Sequence, residues 1–406
     1  MNPIAIAKDI YFIGVFDPDI RTFDIIMKAA NGSSYNAYLI KTSQGVIVVD
    51  TVKKEFQEAF FANLEALCSY EEIRYVIVHH IEPDHSGALP ELITRAPQAK
   101  VLIAPQASMM LGALTHKEHM VFETVWTNKT LRLGEKTLTF LSTPYLHWPE
   151  TLSTYVSEDK LLFSGDVFGA HYCDPRLFDD KVGDFSYAYA YYYDHIMRPF
   201  KRYVASALAL YDRFEIACIA PLHGPILRHN PRHYIDQYRA WSAPLHAPHK
   251  TLTIFYLTSY KNTYEMAQAI MRGSEQTEGL ITRIYDLAAL EEANMLALLD
   301  QSDGFLIGTP TINGDAPKPV WDLLSCLMFL GKEGKCAGTF GSYGWSGEAI
   351  EHVLARLKHL KLRVPPLEHP KVKLIPTKAD LEMCEAYGKE FGEVVMGKMI
   401  EMTLED

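Results

Sequence analysis

The sequence predicts an α/β protein of two domains, a mixed layered α/β domain followed by a doubly wound parallel sheet. Three observations lead there. Short apolar runs recur through the first 240 or so residues, each ending near a polar residue, Gly or Pro, with helical patterns between some of them. Two prolines interrupt the pattern in "APLHAPHK" (243–250) and mark a linker. Beyond it, strands and helices alternate regularly. The expected domains are residues 1–248 and 249–406.

In the first domain the buried strands are "VIVVD" (46–50), "YVIV" (75–78), "VLIA" (101–104), "LTFL" (138–141), "LLFSGD" (161–166) and "IACIAP" (216–221). In the second, "LTIFYLT" (252–258) is a strand and 264–274 a helix. The strands "ITRIYDL" (281–287), "GFLIGT" (304–309), "KCAGTFGS" (335–342) and "KVKLI" (371–375) follow. Five strands alternating with helices indicate a parallel sheet covered on both faces.

Composition narrows the function classes. The chain has 406 residues, 48% hydrophobic and 22% charged, the profile of an ordinary globular protein. A net charge of −11 argues against nonspecific nucleic-acid binding. No apolar run approaches the ~20 residues of a membrane span, and no signal peptide is visible at the N-terminus. The six cysteines are scattered without a CxxC pair, so they read as reduced thiols in a cytoplasmic protein.

The chemistry concentrates in "HHIEPDHSG" (79–87), directly after a strand. His80, Glu82, Asp84 and His85 follow the spacing H-x-E-x-D-H. On an extended segment alternate residues point the same way, so 80, 82 and 84 are expected to converge, with His85 turning in beside them. Three later strand ends offer further ligands: His147 after "TFLSTPYL", Asp166 after "LLFSG" and His223 in "APLHG". A single strand-end histidine is usually structural; seven such residues, each at the end of an apolar run, indicate a metal site. A carboxylate at position 82 makes the ligand set harder and more anionic, which favours iron over zinc.

A second constellation lies in the C-terminal half. "TSYKNTYEMA" opens a helix directly after a strand, with Thr258, Ser259, Tyr260, Asn262 and Thr263 forming a phosphate cradle. "GTPTING" contributes Pro310, Thr311 and Asn313, and "FGSYGWSGEA" contributes Ser342, Tyr343, Gly344, Trp345 and Gly347. All three loops follow strands, where open α/β sheets bind ligands. Glycines let the backbone approach a flat ring, while Tyr343 and Trp345 offer aromatic surface.

These motifs resemble the flavodiiron proteins (the A-type flavoprotein family), and the match runs over nearly the whole chain. The pattern H-x-E-x-D-H…H-x18-D…H is the family's variant of the metallo-β-lactamase signature. The resemblance implies a metallo-β-lactamase-like αββα sandwich followed by a flavodoxin-like domain that binds FMN. It implies that His80, Glu82 and His147 hold one iron, that Asp84, His85 and His223 hold the other, and that Asp166 bridges them. Three positions depart from the family: His79 where asparagine is common, Phe16 where some members carry histidine, and Lys261 where glycine is frequent. His79 is expected outside the ligand set, and His171 is a candidate neighbour of the site.

The implied activity is reduction of O2 to water or of NO to N2O, in O2 or NO detoxification. The pattern of the flavodoxin-like domain runs close to Asp406, so electrons are expected from a separate donor, a rubredoxin, another reduced flavin-dependent partner or a reduced deazaflavin. The family also implies a head-to-tail homodimer, or a dimer of dimers; Trp345 and "YAYAYYYD" are candidates either for its interface or for burial within the monomer. Two readings compete. One is a zinc-dependent hydrolase of the metallo-β-lactamase fold with an appended flavodoxin module, against which Glu82 speaks. The other is an electron carrier with an inactive metal site, against which the full seven-residue set speaks.

Overall fold

The computed structural model describes residues 2–116, 121–243 and 249–397. The chain divides into two compact units, Met1–Ala243 and Pro244–Asp406. Residues 244–248 of the expected linker lie outside the described residues.

The first unit opens with β1 (Ile4–Ala7) and β2 (Ile10–Phe12). Four short strands follow, β3 (Val15–Asp17), β4 (Thr22–Phe23), β5 (Met27–Lys28) and β6 (Ser33–Tyr35); β3 pairs with β6 and β4 with β5. Next come β7 (Tyr38–Thr42), β8 (Gly45–Val49), β9 (Ile73–Ile77), β10 (Lys100–Ile103) and β11 (Phe122–Thr124). They complete a seven-stranded sheet ordered β1-β2-β7-β8-β9-β10-β11. A second sheet takes β12 (Thr130–Leu133), β13 (Lys136–Ser142), β14 (Leu152–Val156), β15 (Leu161–Phe163) and β16 (Cys218–Ala220) in that order.

Alternation along each strand builds the layers. Ile47 and Val49 of β8 join Ile77, Leu138, Phe140, Val156 and Phe163 in a core between the sheets. Val46 and Val48 face the other way, into a core with Phe60, Leu64, Leu89 and Leu92 from helices. On the second sheet Tyr155, Leu162 and Ile219 pack outward beside Val204, Leu208 and Tyr238. The result is the expected αββα sandwich. In the second sheet β13, β15 and β16 run in one direction, because β14 is antiparallel to both β13 and β15 while β15 and β16 are parallel. The loops leaving them therefore emerge at one end.

The second unit is the expected doubly wound sheet. Its strands β17 (Lys250–Tyr256), β18 (Leu280–Asp286), β19 (Gly304–Pro310), β20 (Cys336–Tyr343) and β21 (Lys371–Lys373) are ordered β18-β17-β19-β20-β21. Every pairing is parallel. The order reverses between β17 and β19, so a crevice opens past their carboxyl ends. Helices Asn262–Ser274 and Lys378–Met396 cover one face, and they approach through glycine: a Cβ on Gly388 would lie 2.0 Å from the Ile270 carbonyl oxygen. Among the described residues no helix is long and apolar enough to cross a membrane.

Candidate metal centre and flavin cavity

All seven predicted ligands gather in the first unit, in two groups: His80, Glu82, His147 and Asp166, and Asp84, His85 and His223. The loops after β9, β13, β15 and β16 supply them. The local route differs from the expected extended segment. Pro83–Ser86 is a helical turn, with Pro83 at its first position and the His85 amide donating to the Glu82 carbonyl at 3.0 Å. Asp84 and His85 therefore leave the direction of His80 and Glu82, and this turn is what splits one motif into two groups.

In the first group His80 Nε2 and His147 Nε2 lie 2.9 and 3.0 Å from Glu82 Oε2. In the second, His85 Nε2 and His223 Nε2 lie 3.0 and 3.2 Å from Asp84 Oδ2 and 3.1 Å from each other. Asp166 stands between the groups. Its Oδ2 is 3.4 Å from His80 Nε2, and its Oδ1 is 3.5 Å from His85 Nε2.

The donor set fits cations. Asp84 Oδ1 is buried without a hydrogen-bond partner, an expensive state for a carboxylate oxygen, while Asp84 Oδ2 and Asp166 Oδ2 face the nitrogens of the ligand histidines. Protonation tells the same story. Burial opposes charge on His80, yet hydrogen-bonded Glu150 and Glu82 outweigh it and push the ring up to about 10. Burial likewise opposes charge on Glu82, but His147 and His80 hold it down at about 2. His85 is raised against burial by Asp84 and Asp166. Asp84 and Asp166 are held well below the usual carboxylate range against burial, with His85 as the chief cause in each. Imidazolium protons thus supply the positive charge that the carboxylates demand, and a metal ion that takes their place releases them.

Several neighbours escaped the sequence reading. The Glu150 carboxylate lies 2.9 Å from His80 Nδ1. The Trp148 ring lies edge-on to His80 at 5.1 Å. The Tyr192 hydroxyl donates to Asp166 Oδ1 at 3.0 Å. "HWPE" held a usable signal, a carboxylate three residues after a ligand; Tyr192 lay hidden in the tyrosine run. Asp24, at the exposed turn between β4 and β5, has its carboxyl pushed up to about 6 by desolvation and then by Glu82 and Asp84. The preceding Phe23 is buried 5.2 Å from the His223 ring.

The departures find places too. His79 lies outside the two groups, held between Asp50 Oδ2 at 2.6 Å and Thr154 Oγ1 at 2.7 Å. Phe16 stacks on Phe12 at 5.5 Å. His171 does reach the neighbourhood: its ring is 4.8 Å from that of His223 and its Nδ1 is 2.9 Å from Ser33 Oγ. Burial, then His223, keeps His171 neutral.

In the second unit a cavity of about 320 Å³ opens at the carboxyl ends of β17, β19 and β20. Thr258, Ser259, Tyr260, Asn262, Pro310, Thr311, Ser342, Tyr343, Gly344 and Trp345 line it, together with Ile312 and Leu374. The Thr258 hydroxyl is buried without a partner, and space is open around Gly344. These features suit a polar, flat ligand. Thr263 stands behind the wall, its hydroxyl 3.0 Å from that of Ser342. Asn313 sits in the turn closed by Ile312 and Asp315, and Gly347 precedes the helix Glu348–His359. Lys261 adopts a left-handed conformation at φ 66°, which costs a non-glycine residue roughly 1 kcal/mol.

Known proteins match both halves. The ODP family beta lactamase model matches residues 34–224, and the flavodoxin model matches residues 254–386. The type A flavoprotein fprA of Rhodobacter capsulatus is 44% identical over 403 residues, covering 98% of this chain and 92% of that one. The anaerobic nitric oxide reductase flavorubredoxin of Salmonella arizonae is 34% identical, covering 95% of this chain and 81% of the relative. Among solved structures, the rubredoxin oxygen:oxidoreductase of the anaerobe Desulfovibrio gigas aligns with a TM-score of 0.71 at 25% identity, covering 97% of this chain and 98% of that one.

Proposed function

The chain belongs to the flavodiiron, or type A flavoprotein, family, and from that premise we propose that it reduces O2 to water, NO to N2O, or both, at a non-haem diiron centre fed by FMN. The observation that carries this reading is the pair of ligand groups sharing Asp166, in a chain that also holds a flavin-sized cavity. His80, Glu82 and His147 would hold one iron and Asp84, His85 and His223 the other, with Asp166 placed between the two groups. Three carboxylates against two ferrous ions leave a net charge of +1, suited to a small neutral oxidant that gains negative charge as it is reduced. When bound, the irons supply electrons and stabilise oxyanion charge, and the flavin relays electrons from the donor.

The protein's own groups do the rest. Tyr192 holds Asp166 in place through its hydroxyl. Trp148, beside His80, narrows the site against water. The cavity lined by Thr258, Ser342, Tyr343 and Trp345, beside the start of the helix Asn262–Ser274, would hold FMN.

The electron donor is a separate rubredoxin or a reduced deazaflavin. Because the chain carries a net −11, a docking face for an acidic donor is locally basic or apolar. The working assembly is a head-to-tail dimer. A cytoplasmic location fits the six free cysteines, five of them buried.

The test is metal and flavin analysis of anaerobically purified protein, followed by anaerobic stopped-flow oxidation of the reduced protein by each gas. The expected result is two irons and one FMN per chain, with rapid oxidation by O2, NO or both. Zinc alone, from protein offered both metals, would favour the hydrolase reading, and full cofactor loading without oxidation by either gas would favour the electron carrier.

A further inference from the structure

The two ligand groups are backed differently. Glu150 is 1% exposed, and its Oε1 lies 2.9 Å from His80 Nδ1 and accepts the Ile81 amide at 3.2 Å. Its other oxygen is buried without a partner. In the second group the outer nitrogen of His223 meets a neutral acceptor, the Ser34 carbonyl at 2.7 Å. The outer nitrogen of His85 is buried and unpartnered. Among the described residues no carboxylate is hydrogen-bonded to the outer nitrogen of His85, His147 or His223. Two identical metal ions would therefore meet unequal surroundings, although the donor types of the two groups are nearly matched.

A carboxylate behind an imidazole fixes the tautomer and makes the ligating nitrogen more basic. With Nδ1–H donated to Glu150, His80 presents the Nε2 lone pair toward Glu82 and Asp166. A buried anion held by two donors, with a second oxygen left bare, also favours the higher charge state of a nearby cation.

We propose that Glu150 is a positioning residue that makes the two metal positions unequal, so that the His80–Glu82–His147 position binds ferrous ion more tightly and is oxidised first. This rests on the diiron reading above. The second position, backed by a carbonyl and by nothing, is the weaker and more easily reduced one.

The test compares metal-depleted full-length protein with its Glu150→Gln variant. Glutamine keeps an acceptor at the same place and removes the charge. Ferrous ion alone is added under anaerobic conditions, and the two binding steps are resolved. The range of potential over which the mixed-valent state persists is then read by electron paramagnetic resonance. The variant is expected to weaken the tighter step by about tenfold to a hundredfold, leave the other step unchanged, and narrow the mixed-valent range. Equal weakening of both steps, or no change in either step and in that range, overturns the proposal. Should Glu150→Gln fail to fold, Glu150→Asp keeps the charge, and two clearly separated steps in that variant are expected; merged steps in it count against the proposal. Failure of the unaltered protein to bind two ferrous ions would instead bring down the diiron reading, and the proposal with it.

Discussion

Asp166 shows what single residues contribute. One carboxylate at the end of β15 turns an oxygen to each ligand group, so either group loses a shared anion if the other is distorted. His147 and His80 flank Glu82 Oε2 from two sides. His147→Ala is therefore expected to remove iron from the His80–Glu82 position while FMN stays bound, since the flavin cavity is built wholly from the other unit. Metal and flavin analysis of the variant checks this; loss of FMN along with iron would mean the units depend on each other. Thr263→Ala works through one bond. It removes the partner of Ser342 beneath the cavity, worth about 1 kcal/mol. FMN affinity should fall about fivefold with iron unchanged, as read by flavin fluorescence titration and iron analysis. The seven metal candidates were legible in the sequence because each follows an apolar run. The helical turn at Pro83 was not, because H-x-E-x-D-H read as an extended segment hides a proline at the first position of a turn. Tyr192 and Asp24 left no local mark, as their roles arise from chain segments that meet only after folding.

At the scale of elements, the parallel strands were the easiest to read. β8, β10, β17, β19 and β20 are buried on both faces along most of their length and so appear as continuous apolar runs. The short N-terminal strands β3 to β6 were missed. Two- and three-residue strands carry no period, and their stability comes from packing such as that of Phe23 and Met27 in the main core. The tyrosine run could serve an interface or the core of its own unit; Tyr189, Tyr192 and Tyr193 are almost wholly buried, while Tyr187 is 75% exposed. A helix that alternates tyrosine with alanine buries one face, and the sequence alone does not say which. The helices Asn262–Ser274 and Lys378–Met396 cross closely, each bringing a glycine, Gly273 and Gly388, to the other's backbone. Gly388→Ala puts a methyl 2.0 Å from the Ile270 carbonyl oxygen. Neither side can yield by rotating a side chain, so the helices must separate, at a cost of about 1–3 kcal/mol. Thermal unfolding followed by flavin release should shift down by several degrees, and an unchanged midpoint would show that the crossing tolerates separation.

For the whole molecule, electrons must pass from a flavin in one unit to irons in the other. The ligand groups emerge at the ends of β9, β13, β15 and β16, and the flavin cavity at the ends of β17, β19 and β20. Nothing in either unit's own architecture requires the two openings of one chain to meet. Trp345, 78% exposed beside the cavity, and Leu374, 58% exposed, leave an apolar rim there, which a partner chain would cover. If the assembly is the head-to-tail dimer proposed above, each flavin serves the partner's irons, and mixed dimers test it. Subunits carrying His147→Ala keep FMN but lack a complete diiron centre; subunits carrying Thr263→Ala, further depleted of FMN by dialysis, keep iron but lack flavin. Each is expected to be nearly inactive alone. Mixed dimers, separated by two different affinity tags, should recover close to half the activity of the unaltered dimer, because one intact flavin–diiron pair forms across the interface. If such mixed dimers form and stay inactive while the unaltered dimer turns over, the flavin and irons that exchange electrons belong to the same chain.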